Sequence, residues 1–312
     1  MKRSFFRKKL TADDLVAMEK HGLSRSEEIW SRLMRDKTSM ICLGFIVILI
    51  LVAVFANFLL DEKLVTEQNV TERIQGPSAA HWFGTDLYGR DIFARVVYGS
   101  RISLSIGLLT VIISTVIGGL LGAIAAYYGG ISDGIIMRIT DVFLAIPEQL
   151  LAMTVVAALG ATPASVIAAL SIAVIPNRAR LVRSAVLGIV DSQYVEAARA
   201  VGMGSQGIIL KEIIPNTLGP IIVVSTQGIA SIILTVSSLS YLGVGIQPPT
   251  PEWGAIIFEA REFLRIAPYM LLLPGFVIVL TALAFNLAGD GLRDALDPRL
   301  KGLISQYDWL QK

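Results

Sequence analysis

Cysteine, histidine and charge are all scarce in this chain of 312 residues. It has one cysteine and two histidines, and Asp, Glu, Lys and Arg make up 17% of it. With Cys42 alone, an intrachain disulfide framework is excluded. His21 and His81 cannot build a histidine-rich metal centre, and no H-E-x-x-H zinc motif exists. No lysine follows a glycine, so the G-x-x-x-x-G-K-[ST] phosphate loop is absent and ATP-driven work would need a partner. No catalytic constellation supports a membrane enzyme. The net charge of +2 is too slight to imply a nucleic-acid partner. What is abundant is apolar surface: 54% of residues are hydrophobic, against about 45–50% in soluble domains that carry about 25% charge. The chain belongs in a bilayer.

A span needs about 20 mainly apolar residues, because a helix rises about 1.5 Å per residue through a core about 30 Å thick. Six stretches qualify: residues 40–60, 102–127, 139–159, 163–175, 218–244 and 268–288. The fourth is the shortest and is read as closing at Pro176. The first follows a polar and charged arm, 1–39, with no small-x-small cleavage site, and is read as a retained anchor. With the N-terminus cytoplasmic, 20 of the 27 Lys and Arg residues fall in inside segments, which places both termini inside. The expected plan is the arm 1–39, the first span 40–60, an external loop 61–101, a core 102–290 and a cytoplasmic tail 291–312. A second external loop is 245–267, and the main inside loop is 176–217.

In the arm, Thr11 with Asp14 suggests a capped helix ending near Gly22, and Ser26 starts a second with Trp30, Leu33 and Met34 on one face. Such a helix suits the headgroup boundary of membrane lipid. Within the spans, only the third carries charge near mid-depth: Asp141 and Glu148, seven residues apart and nearly on one face. Asp141 is read first as an i,i+3 partner of Arg138 and, in the alternative, as lining the route of a solute. Glu148, beside the helix-disturbing Pro147, either lines the route of a solute or pairs with a neighbouring subunit. A lone carboxylate is thin support for a proton-coupled carrier.

The inside loop holds a mechanical device. Asp191 or Ser192 can cap a short helix whose Ala197, Ala198 and Ala200 give it high propensity and a slim surface. Gly202, Gly204 and Gly207 allow a turn, and 208–214 carries apolar residues back to the bilayer, where Pro215 opens the next span. A slim helix projecting from a membrane bundle fits another protein's groove.

Glu196, Ala197, Ala198, Gly202 and Pro215 match the E-A-A-x-x-x-G-x9-I-x-L-P signature of permease subunits of ATP-binding cassette importers, with Ile214 for Leu and Glu212 at the isoleucine position. Further stretches resemble the dipeptide and oligopeptide branch: Gly84-Thr-Asp-Leu-Tyr-Gly-Arg-Asp91, Asp141-Val-Phe-Leu-Ala-Ile-Pro147, Tyr241 to Gly254, and Ala284 to Arg299. The family's aromatic pattern is replaced at Pro176-Asn177-Arg178.

The resemblance implies an all-α integral membrane protein with six transmembrane helices and the type I importer permease fold, resident in a bacterial or archaeal cytoplasmic membrane. It implies a second homologous permease, two cytoplasmic ATPases that bind the ATP and Mg, and an external solute-binding protein, with no cofactor on this chain. Glu196, Ala197, Ala198, Arg199, Ala200 and Gly202 become the ATPase-coupling residues. Asp86, Arg90 and Asp91 either meet the docking protein or pair with one another in a capped turn. The implied cargo is a dipeptide or oligopeptide; nickel or another small solute is the alternative within the family. Gln247-Pro-Pro-Thr-Pro reads as a rigid outside turn, Trp253 as an interface anchor, and Gly118 with Gly122 as a helix-packing pair. Asn286, Asp290, Arg293 and Asp294 are read as closing the sixth span and tying the tail to the bundle.

Overall fold

The computed structural model describes residues 25–296, so the helix expected near residues 11–22 and the end of the tail lie outside the described residues. Among those described there is no β-strand, only one antiparallel bridge between Thr85 and Asp91. The architecture is a helical bundle with five helices long and apolar enough to cross a membrane and one bent pair that makes a sixth candidate span.

Helix α1, Arg25–Arg35, is amphipathic; Leu33 is buried while Trp30 and Met34 stay exposed. Asp36 then caps α2, Lys37–Leu59, by accepting from the Thr38 and Ser39 amides at 3.2 and 3.3 Å. Most of α2's large apolar side chains remain exposed, as a lipid-facing helix requires.

The second crossing, α3, is Ile92–Tyr128 and begins ten residues before the apolar run does. Arg95 and Arg101 interrupt that run, yet Asp91 starts the helix by accepting from the Ala94 amide at 2.8 Å. Its 37 residues extend about 55 Å, so its first turns stand outside a core about 30 Å thick. Helices α4, Gly130–Leu144, and α5, Glu148–Leu159, form the bent pair, broken by 84° around Pro147. Proline lacks the amide that would continue α4, and it disfavours helical geometry in the residue before it.

Helix α6 corrects the expected fourth span. It runs Pro163–Leu187, with Thr162 capping the Ser165 amide at 3.2 Å, and Pro176 lies inside it. The span therefore does not close at Pro176. One hydrogen bond is lost there, but neighbouring helices tolerate and bury the defect. Gly118 and Gly122 of α3 supply the close approach: a Cβ at Gly118 would stand 2.7 Å from the Ile175 carbonyl oxygen, and one at Gly122 would collide with the carbonyl of Ala179. This is the most extensive helix pairing in the bundle.

After the short α7, Gln193–Ala200, a π-helical turn at Ile208–Ile213 leads into α8, Ile214–Tyr241. Helix α9, Trp253–Ala260, lies in the loop 245–267, and α10, Tyr269–Leu296, completes the bundle against α8 and α2. The sixth span does not end at residue 288: Asn286 and Asp290 are within α10, and Gln227 of α8 donates to Asp290 at 2.9 Å. Trp253 is no interface anchor either. It is fully buried, and its indole donates to the Val96 carbonyl at 2.9 Å, because α9 folds back onto α3.

Candidate functional site

The coupling loop is built as a clamp with one bare side. Ser192 occupies the cap position of α7, but its hydroxyl donates to the Ile189 carbonyl at 2.6 Å and does not accept from the helix; the Val195 and Glu196 amides bond the Ser192 carbonyl. Along α7, Val195 and Ala198 point inward and are buried with Val182, Val186, Ile208, Ile209 and Ile213. Arg199 lies over the Tyr127 ring at 5.1 Å, fastening the helix to the end of α3.

The C-terminus of α7 closes in a Schellman motif. The Met203 amide reaches the Ala198 carbonyl at 3.1 Å and the Gly202 amide reaches that of Arg199 at 3.0 Å. Gly202 takes φ +81°, a conformation that costs a side chain strain. The outward side carries Glu196, Ala197, Ala200, Val201 and Gly202, all exposed; Val201 is 80% exposed. The expected contact set thus divides. Ala198 belongs to the chain's own core, and Val201, which the signature does not include, takes its place on the free face.

The external residues also divide. Asp86 and Arg90 are buried and paired at 2.7 Å, and the pair belongs to a four-charge cluster with Arg95 and Glu259. Arg95 bonds Asp86 at 2.7 Å and Glu259 at 2.5 Å, while Arg90 bonds both Glu259 oxygens at 3.0 Å. Two guanidinium groups against two carboxylates balance their charge, which is what burial demands. The cluster ties the loop 61–91 to α3 and α9. Asp91 caps α3 with one oxygen and meets His81 Nδ1 at 2.8 Å with the other. Neither Asp86 nor Arg90 presents its charge outward.

Inside the span region, Asp141 does not pair with Arg138. It accepts from Arg180 of α6 at 2.6 Å, and one helical turn further on Arg183 bonds Asp133 at 2.5 Å. These two bridges lash α4 to the inner half of α6. Glu148 opens α5 at the break and is half-buried. Asp141 and Glu148 are therefore on separate helices, not on one face, because the 84° bend intervenes.

A family model described as "Binding-protein-dependent transport system inner membrane component" matches residues 118–302, more than half of the chain. The chain belongs to this family. A second model, "N-terminal TM domain of oligopeptide transport permease C", matches residues 24–77. Among curated relatives, the permease is 46% identical over 280 residues to the dipeptide transport system permease protein DppC of Alkalihalophilus pseudofirmus, covering 90% of this chain and 92% of that one. It is 43% identical over 299 residues to the glutathione transport system permease protein GsiD of Pectobacterium atrosepticum, covering 96% and 99%. The MetNI methionine transporter, solved in an inward facing conformation, superposes with a TM-score of 0.54 at 20% identity over 65% of this chain and 96% of that one. At that identity the likeness shows the fold alone. The permease is a multi-pass transport subunit of an ATP-binding cassette importer, not an enzyme.

Three ionisable residues of the permease escape a hydropathy reading: Arg95, Glu259 and Arg178. The first two lie in segments assigned to loops, so nothing signals their burial. Arg178 had a signal. Once α6 continues through Pro176, it becomes the first of three arginines within that helix and, unlike Arg180 and Arg183, bonds no carboxylate among the described residues, which makes it a candidate site.

Proposed function

We propose that the chain forms half of the translocation pathway of a peptide importer, paired with a second homologous permease. Its N-terminus faces the cytoplasm, two ATPases holding ATP and Mg dock beneath it, and an external binding protein delivers the cargo. No cofactor is bound by this chain. The likeness to permeases named for dipeptides and glutathione over nearly the whole length supports short peptides as cargo.

The observation that carries the coupling reading is the two-sided character of α7. Its inner side is packed into the permease core, and its exposed outer side carries Glu196 beside small and apolar surface ending at Gly202. A groove on an ATPase that grips the outer side would move the spans as one body, since α7 is packed against the ends of α3 and α6.

The test uses the single native cysteine to advantage. In a Cys42→Ser background, cysteine at Val201 should crosslink to an ATPase subunit, with the yield changing between nucleotide-free and ATP-bound complexes. Gly202→Glu should abolish uptake while leaving membrane insertion intact. Normal uptake by Gly202→Glu, or no crosslink from Val201 in any nucleotide state, would refute the docking face.

A further inference from the structure

Arg178 has an unused edge. It is 8% exposed, at the seam where α6 meets α3 and α8. Its Nη1 donates to the Val224 carbonyl of α8 at 3.1 Å. Its Nη2 lies against Gly228 of α8, where a side chain would collide with it, and makes no hydrogen bond among the described residues. Its Nε is buried and has no partner. These two unused donors, Nε and Nη2, share one edge of the guanidinium plane, and that edge can donate to both oxygens of a carboxylate in parallel.

A half-paired guanidinium inside a membrane is costly, so some state of the protein should complete it. Glu148 is the carboxylate whose field reaches Arg178, but the two make no direct ion pair among the described residues. Glu148 is placed at the break between α4 and α5, where the ladder of backbone hydrogen bonds is already interrupted. The protein thus holds one cationic and one anionic group with no ion pair between them among the described residues, whereas the neighbouring Arg180 is paired with Asp141. At this point α6 meets α8 through a hydrogen bond and a glycine, so a shift between the two helices exposes the guanidinium without withdrawing a large side chain from a pocket.

We propose that Arg178 is a specificity residue of the translocation route, receiving the carboxylate end of a peptide in transit while Glu148 receives its ammonium end. The assignment rests on reading the chain as half of a peptide pore. A zwitterionic peptide matches the two groups in sign, and its carboxylate fits the open edge of the guanidinium. The competing arrangement is an internal latch, in which Glu148 itself swings onto Arg178.

The test measures uptake by the whole complex in proteoliposomes: both permeases, the ATPases and the binding protein. One dipeptide is supplied with a free C-terminal carboxylate and as its C-terminal amide, each at saturation of the same binding protein, so that protein's selectivity cancels in the ratio of variant to wild type. In Arg178→Gln the rate for the free acid should fall about tenfold, the size expected for loss of a charge-assisted fork, while the amide rate stays within about twofold. Glu148→Gln should in the same way erase the preference for a free amino terminus over its N-acetyl form.

Equal losses on acid and amide would overturn the proposal, and rescue of both by the exchanged pair Glu148→Arg with Arg178→Glu would identify the latch instead. Should Arg178→Gln fail to assemble with the ATPases, Gly228→Ala displaces Nη2 without removing the charge and reads the same ratio; an unchanged ratio there also overturns the proposal. A wild-type complex that carries neither peptide sinks the peptide reading as well, whereas wild-type uptake with unchanged ratios sinks the Arg178 assignment alone.

Discussion

Glu252 shows how a single carboxyl group stores pH dependence at the start of α9. It caps α9, accepting from the Ala255 amide at 3.0 Å and from the Ser103 hydroxyl at 3.1 Å, and it is completely buried. Burial pushes its carboxyl above the ordinary carboxylate value, against the opposing pull of hydrogen bonds from Gly254, Ser240, Ala255 and Ser103. A raised acid holds its proton to higher pH in the folded state than in the unfolded one. Its contribution to stability is complete below the unfolded value and is lost as pH rises through the folded value. The melting temperature of the purified permease should therefore decline as pH rises above the ordinary glutamate value, and Glu252→Gln should flatten that slope. A Glu252→Gln slope equal to wild type would show that the carboxyl is ionised in the fold. Gly202 represents the opposite situation at the same scale: its role was legible from the signature, because a glycine past a short alanine-rich helix predicts the left-handed closure that φ +81° confirms.

At the scale of the element, local punctuation was the part that misled. Pro176 reads as the end of a span, yet it lies within α6 because α3 offers two glycines for the α6 backbone to settle against. Pro147 reads as a kink and in fact divides the third crossing into two helices at 84°. Both are prolines in apolar runs; what separates them is the neighbour. The Gly118 and Gly122 surface packs on α6 where it runs unbroken through Pro176, while the polar bridges from Asp133 and Asp141 hold α4 against α6 and leave α5 to start afresh. Gly122→Leu should push α3 off α6 and cost about 1–3 kcal/mol in thermal unfolding, as overpacking does, whereas Pro176→Ala should leave stability unchanged or slightly improved. If both substitutions were neutral, the seam between α3 and α6 would not be the source of α6's continuity.

For the whole molecule, the arrangement of charge supports an orientation that only labelling can fix. By the expected plan twenty of 27 basic residues fall in segments on the N-terminal side, three of them, Arg178, Arg180 and Arg183, within α6; that reading would put the cluster of Asp86, Arg90, Arg95 and Glu259 on one side and α7 on the other. In a Cys42→Ser background, cysteine at exposed Thr71 should react with an impermeant maleimide in intact cells, and cysteine at exposed Gln206 should react only after permeabilisation. The reverse pattern would invert the topology and remove α7 from the reach of cytoplasmic ATPases.

What the sequence by itself determined was everything set by composition and local pattern. Apolar runs long enough for a bilayer announce the membrane class, and the Glu196 to Gly202 stretch announces a short helix with a glycine closure, because both depend on residues adjacent in the chain. Tertiary structure decided which side of each element is used. It turned Ala198 inward and left Val201 bare, buried Trp253 of α9 against α3, gave Asp141 to Arg180 in place of Arg138, and closed four charges around Arg95. Each of these outcomes depends on a partner far away in sequence, and the cost of burying a charge or a carbonyl is settled only when that partner arrives.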